Sequence, residues 1–140
     1  GWRCGRRCVA AFPHEVIVRT LLLAEDDGLV RRVLSRMLQS AGYRVLEVTN
    51  GKDAVRTASS EPVDLVISDV IMPEMDGIEL LKDVLALDVP VILMSGGGRI
   101  DAELYLRMAS MLGAAAVLQK PVDPATLLQT VASALDDQPA

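Results

Sequence analysis

The chain has 140 residues, enough for one domain that buries roughly 68–70% of its unfolded surface. Apolar residues make up 51% and charged residues 24%, which excludes wholesale disorder, and with aromatics at only 3% the core must be aliphatic. The net charge of −5 is unevenly placed: residues 1–19 hold four arginines and one glutamate, whereas the remainder is strongly acidic, and an acidic body repels phosphate backbones, which argues against direct nucleic-acid binding.

No apolar run approaches the ~20 residues of a membrane span, and the arginine-rich start has no signal-length apolar stretch, so a cytoplasmic protein is expected. Cys4 and Cys8 are too few for a disulfide framework or a four-ligand zinc site. Residues 1–17 read as a leader without a usable pattern, and residues 18–137 as the domain.

From Thr20 onward, short apolar runs alternate with amphipathic stretches of helical length. Residues 20–24 form a first buried-strand candidate. Leu29, Val30, Val33, Leu34, Met37, Leu38 and Ala41 then recur on one helix face, which Gly42 closes as a left-handed cap. Residues 43–48 predict a second strand, Asn50-Gly51 a turn, 52–59 a short helix and 63–68 a third strand. A helix over 77–87, a strand over 89–94, the flexible Gly96 to Gly98 loop and a helix over 101–112 follow. A fifth strand spans 115–118, and Asp123-Pro124 opens a last helix running to about Leu135. Five strands alternating with five helices imply a doubly wound parallel sheet of flavodoxin-like order 2-1-3-4-5.

In such sheets the ligand site lies beyond the carboxyl ends of the strands. There the sequence places Glu25-Asp26-Asp27 after the first strand, Asp69 after the third, Ser95 after the fourth and Lys120-Pro121 after the fifth. Clustered carboxylates repel one another and call for a cation. An oxygen-only donor set suits Mg²⁺. A metal, a lysine and a hydroxyl around one aspartate describe phosphoryl transfer to a carboxylate, with Asp69 as nucleophile. Asp27 reads instead as a helix cap.

These residues, with Met72-Pro73-Glu74-Met75-Asp76-Gly77 after Asp69 and the Ser95-Gly96 pair, resemble the receiver domain of two-component response regulators over residues 20 to about 136. The resemblance implies that Asp69 is the phosphoacceptor, that Ser95 and Lys120 assist it, and that Mg²⁺ is held by Glu25, Asp26, Asp69 and the backbone carbonyl of Ile71. It also implies a cis Lys120-Pro121 bond. Its partners would be a histidine kinase or histidine phosphotransfer protein and a downstream protein target. Chemistry is limited to self-phosphorylation and self-dephosphorylation, without separate substrate turnover.

The chain departs from the family at the switch position, usually aromatic, which here is Val117. Without a ring to rotate beside Ser95, the signal is expected to leave through backbone shifts or another residue. The helix over 101–112 is apolar on nearly all sides, so Leu106 is expected on a docking or homodimer surface. The reading is a stand-alone receiver, with a receiver excised from a larger hybrid kinase or multidomain regulator as its alternative. An aspartate-nucleophile phosphohydrolase would need an acid two residues after Asp69, where Ile71 stands. A flavin module would need aromatic loops that the chain lacks.

Overall fold

The computed structural model describes residues 18–69, 77–96, 107 and 110–136. The elements are β1 (Thr20–Ala24), α1 (Gly28–Ser40), β2 (Arg44–Val48), α2 (Gly51–Ser60), β3 (Leu65–Asp69), α3 (Gly77–Leu85), β4 (Val91–Gly96), β5 (Ala116–Lys120) and α4 (Pro124–Asp136). All strand pairs are parallel, in the order β2-β1-β3-β4-β5, as the alternation predicts.

Of the five expected helices, four stand among the described residues. The one over 101–112, with Leu106 and its docking surface, lies largely outside them, although Arg107, Ser110 and Met111 are helical. Residues 1–17 and Ile71 also lie outside the described residues.

The period of two along each strand sorts the core into two layers. Leu22, Val66, Val91 and Leu93 pack with Ala54 and Ala58 of α2 and with Leu80, Leu81 and Val84 of α3. Leu21, Leu23, Leu65, Ile67, Ile92 and Met94 face the other way, onto Leu34 and Leu38 of α1 and Leu127, Val131 and Leu135 of α4. The central strands are thus buried on both faces, which explains their near-continuous apolar runs.

The local signals act as expected in most places. Asp27 caps α1 by accepting from the N–H groups of Leu29 (3.0 Å) and Val30 (3.1 Å). Gly42 follows that helix at φ +98°, a conformation that L side chains rarely adopt. Asp123 caps α4 by accepting from the Thr126 N–H at 3.0 Å.

Two sequence expectations need correction. Asn50-Gly51 is the start of α2 rather than a separate turn, because the Asn50 side chain accepts from the Asp53 N–H at 2.8 Å. The apolar face of α1 is wider than its contact with the sheet, so Leu29 is 71% exposed and Val33 is also exposed. Met111, at the end of the stretch read as a helix over 101–112, is 87% exposed.

Candidate functional site

The parallel register brings the reactive groups to one rim. Ala24 pairs with Ser68, Asp69 with Met94, Ser95 with Gln119 and Gly96 with Lys120, so the carboxyl ends of β1, β3, β4 and β5 lie side by side. The strands β4 and β5 run two residues further than their apolar runs, which places Ser95 and Lys120 within the ladder. Backbone pairing continues where side-chain hydrophobicity stops, because the ladder is a main-chain property.

Glu25 follows β1 and extends its pairing, its N–H donating to the Val48 carbonyl at 3.1 Å. Its side chain is only 1% exposed. One of its carboxylate oxygens accepts from the Asp27 N–H at 3.2 Å, and the other accepts from the Lys120 ammonium. Lys120 also donates to Asp69 Oδ2 at 2.8 Å. The ammonium therefore ties the ends of β1, β3 and β5 together. Asp26, next to Glu25 in the same turn, is exposed.

One carboxylate oxygen from each of Glu25, Asp26 and Asp69 lies within 4.8 Å of the others. Oxygens sharing one Mg²⁺ at about 2.1 Å stand roughly 3–4 Å apart, so this set fits a small hard cation with little rearrangement. The donor chemistry agrees, since all three are carboxylates and a compact cation, the Lys120 ammonium, already bridges two of them, Glu25 and Asp69.

Burial sets the electrostatics. It pushes the Glu25 pKa above the ordinary glutamate value, against the hydrogen bonds from Lys120 and the Asp27 N–H, which lower it, and the Asp69 charge adds to the rise. Burial pulls the Lys120 ammonium the other way, but its hydrogen bonds to Asp69 and Glu25 outweigh that pull and leave its pKa raised. Lys120 therefore stays charged throughout the neutral range.

Ser95 is buried at the end of β4. By strand alternation it continues the face of Val91 and Leu93, where half-buried Val117 also packs against the α2–α3 core. The structure therefore puts Ser95 and Val117 on the same side of the sheet, while Asp69 and Lys120 continue the opposite face. The Lys120-Pro121 bond is cis, as expected.

Sequence reasoning missed two features around this rim. Arg31 and Ser35 of α1 meet Glu47 of β2 beside Glu25. Their only sequence signal is the i, i+4 spacing of Arg31 and Ser35 on a polar edge of α1. An apolar groove of about 530 Å³, lined by Leu29, Val30, Val33, Leu34, Pro121 and Val122, also opens beside Lys120.

Comparison with known proteins identifies the class. The family profile of the response regulator receiver domain matches residues 21–132, and the chain belongs to that family. The chain is 34% identical over 119 residues to protein PilH of Pseudomonas aeruginosa, spanning 82% of this chain and 96% of PilH. It is 36% identical over 118 residues to the transcriptional regulatory protein GlrR of Escherichia coli, covering 83% of this chain but only about a quarter of that larger protein (26%).

Among solved structures, one described as a response regulator from Chloroflexus aurantiacus superposes with a TM-score of 0.77 at 30% identity, covering 85% of this chain and 98% of the other. The chemotaxis response regulator CheY4 of Vibrio cholerae superposes at 0.74, also with 30% identity, covering 84% and 99%. The protein is thus a receiver domain of two-component signalling, a regulatory module of CheY-like fold. Among the described residues no helix is long and apolar enough to cross a membrane.

Proposed function

We propose that Asp69 accepts a phosphoryl group from a histidine kinase or histidine phosphotransfer protein and that the acyl phosphate alters docking to a downstream protein. The observation that supports this most strongly is Lys120 held between Asp69 and Glu25, with Asp26 close enough to complete a cation site. A receiver that had lost phosphorylation would be expected to lack one of these groups.

An oxygen of Asp69 bonds to phosphorus as the phosphorus–nitrogen bond to the donor imidazole breaks, and the imidazole leaves after gaining a proton. Asp26 and Asp69, with Glu25 acting through water and the Ile71 carbonyl as the family resemblance implies, would hold Mg²⁺, which would supply charge neutralisation on the phosphoryl oxygens. Lys120 turns its ammonium to one of those oxygens, and Ser95 donates its hydroxyl to another. Later attack by water returns the carboxylate and releases inorganic phosphate.

The apolar groove beside Lys120 supports a protein donor, because its exposed side chains offer a helix of the donor a seat next to the acceptor. We place the protein in the cytoplasm with that donor. The near-complete overlap with PilH supports a stand-alone receiver, and the partial overlap with GlrR supports a receiver within a larger regulator; the full gene distinguishes them.

Incubation with Mg²⁺ and acetyl phosphate tests the reading. Intact mass should show one added phosphoryl group in the wild type and none in Asp69→Asn. An unmodified wild type, or an Asp69→Asn variant still modified, overturns it.

A further inference from the structure

We infer that Arg31, anchored by Glu47, is a positioning residue that fixes the acidic turn and thereby sets the site's affinity for a divalent cation. The inference rests on the phosphoacceptor reading above and concerns residues that reading does not use.

The Arg31 guanidinium reaches out of α1 in two directions. Its Nη1 donates to the backbone carbonyl of Glu25 at 2.9 Å, and its Nε pairs with Glu47 Oε1 at 3.3 Å. The other oxygen of Glu47 accepts from the hydroxyl of buried Ser35 at 3.0 Å. A Cβ built on Gly28 would meet Arg31 Nη2 at 3.8 Å, so the guanidinium lies against the first residue of α1, where the helix leaves the turn.

These contacts orient one peptide plane. Glu25 has its N–H bonded to Val48 and its C=O bonded to Arg31, so both ends of the residue are held. The peptide whose carbonyl Arg31 grips is the one that leads into Asp26. Because Asp26 is exposed, its carboxylate is placed by its main chain rather than by packing. Fixing that peptide keeps the Asp26 oxygen near those of Glu25 and Asp69. The planar fork presents Nε and Nη1 to the two acceptors at a fixed spacing and in one plane, a geometry that the compact ammonium of a lysine on its flexible stem does not reproduce.

Charge and positioning predict opposite outcomes, which makes the role testable. A cation beside a cation site repels Mg²⁺, so removing Arg31 would tighten binding if charge were its contribution. If Arg31 positions the turn, its removal loosens binding, by about tenfold on the scale known for residues that orient metal ligands.

The experiment is calorimetric titration of Mg²⁺ into the wild type, Arg31→Ala, Arg31→Lys and Ser35→Ala, with thermal unfolding in EDTA to establish that each is folded. Arg31→Ala should bind about tenfold more weakly, Arg31→Lys should recover only part of the loss, and Ser35→Ala should weaken binding slightly. Should Arg31→Ala fail to fold, Arg31→Gln, which keeps one donor and no charge, is read in its place. Unchanged or tighter binding by the folded variant overturns the inference and leaves the phosphoacceptor reading intact. Absence of Mg²⁺ binding by the wild type overturns both.

Discussion

Lys120 shows how much one side chain holds at this rim. It is 21% exposed and contacts both Glu25 and Asp69, while Glu25 is almost completely buried. In Lys120→Met the Glu25 carboxylate keeps its burial and loses the hydrogen bond that lowers its pKa, so the pKa rises further. A carboxylate with a raised folded pKa costs no stability below its unfolded value, and the cost appears as pH rises through the folded value. Urea unfolding in EDTA should therefore show Lys120→Met less stable than wild type by about 2 kcal/mol at pH 7, and by less at pH 4. A loss that is equal or larger at pH 4 contradicts this account. The principal residues of the site were legible because parallel sheets concentrate chemistry at strand ends, and the acids and the lysine stand there in the sequence. Arg31 and Glu47 were not, because a contact between a helix and a neighbouring strand leaves no fixed spacing in the chain.

At the scale of elements, α1 matters most for the site, since it begins at the acidic turn. Asp27 satisfies its first N–H groups, and Gly42 closes its far end at positive φ with nothing within 4 Å of an added Cβ. Gly42→Ala thus meets no steric neighbour, and its cost is the backbone conformation alone, about 1 kcal/mol, read as a lower urea midpoint with unchanged slope. A stability equal to wild type would contradict the assigned backbone conformation. The strands were legible from apolar runs and their alternation with helices, but their ends were not. The runs at 89–94 and 115–118 stop short of Gly96 and Lys120, because polar residues remain in the ladder through the main chain. Val63 and Val89 are buried outside the strands, where apolar character marks the core without marking pairing. Pro90 has no N–H to give, and β4 begins at Val91.

At the scale of the molecule, the order β2-β1-β3-β4-β5 brings distant segments to one edge and leaves α1 flanking it. Sequence rules reached that order because right-handed crossovers leave few alternatives. They did not reveal which apolar residues of α1 stay outside, since periodicity reports a stripe and not what covers it. The exposed Leu29 and Val33 therefore belong to a surface that only the folded molecule displays. If that surface seats the donor, Leu29→Glu with Val33→Glu should slow phosphoryl transfer from a histidine kinase or phosphotransfer protein by about tenfold, while uptake from acetyl phosphate stays unchanged. Equal slowing with both donors would place the defect in the chemistry instead.

The electrical balance of the rim has a consequence for which ions it tolerates. With all three acids ionised, three carboxylates stand against one ammonium, an excess of two negative charges. One doubly charged ion cancels that excess, whereas a sodium or potassium ion leaves half of it standing. For the cation proposed to bind here, the side-chain count itself would favour valence two, before ionic radius or coordination geometry begins to discriminate.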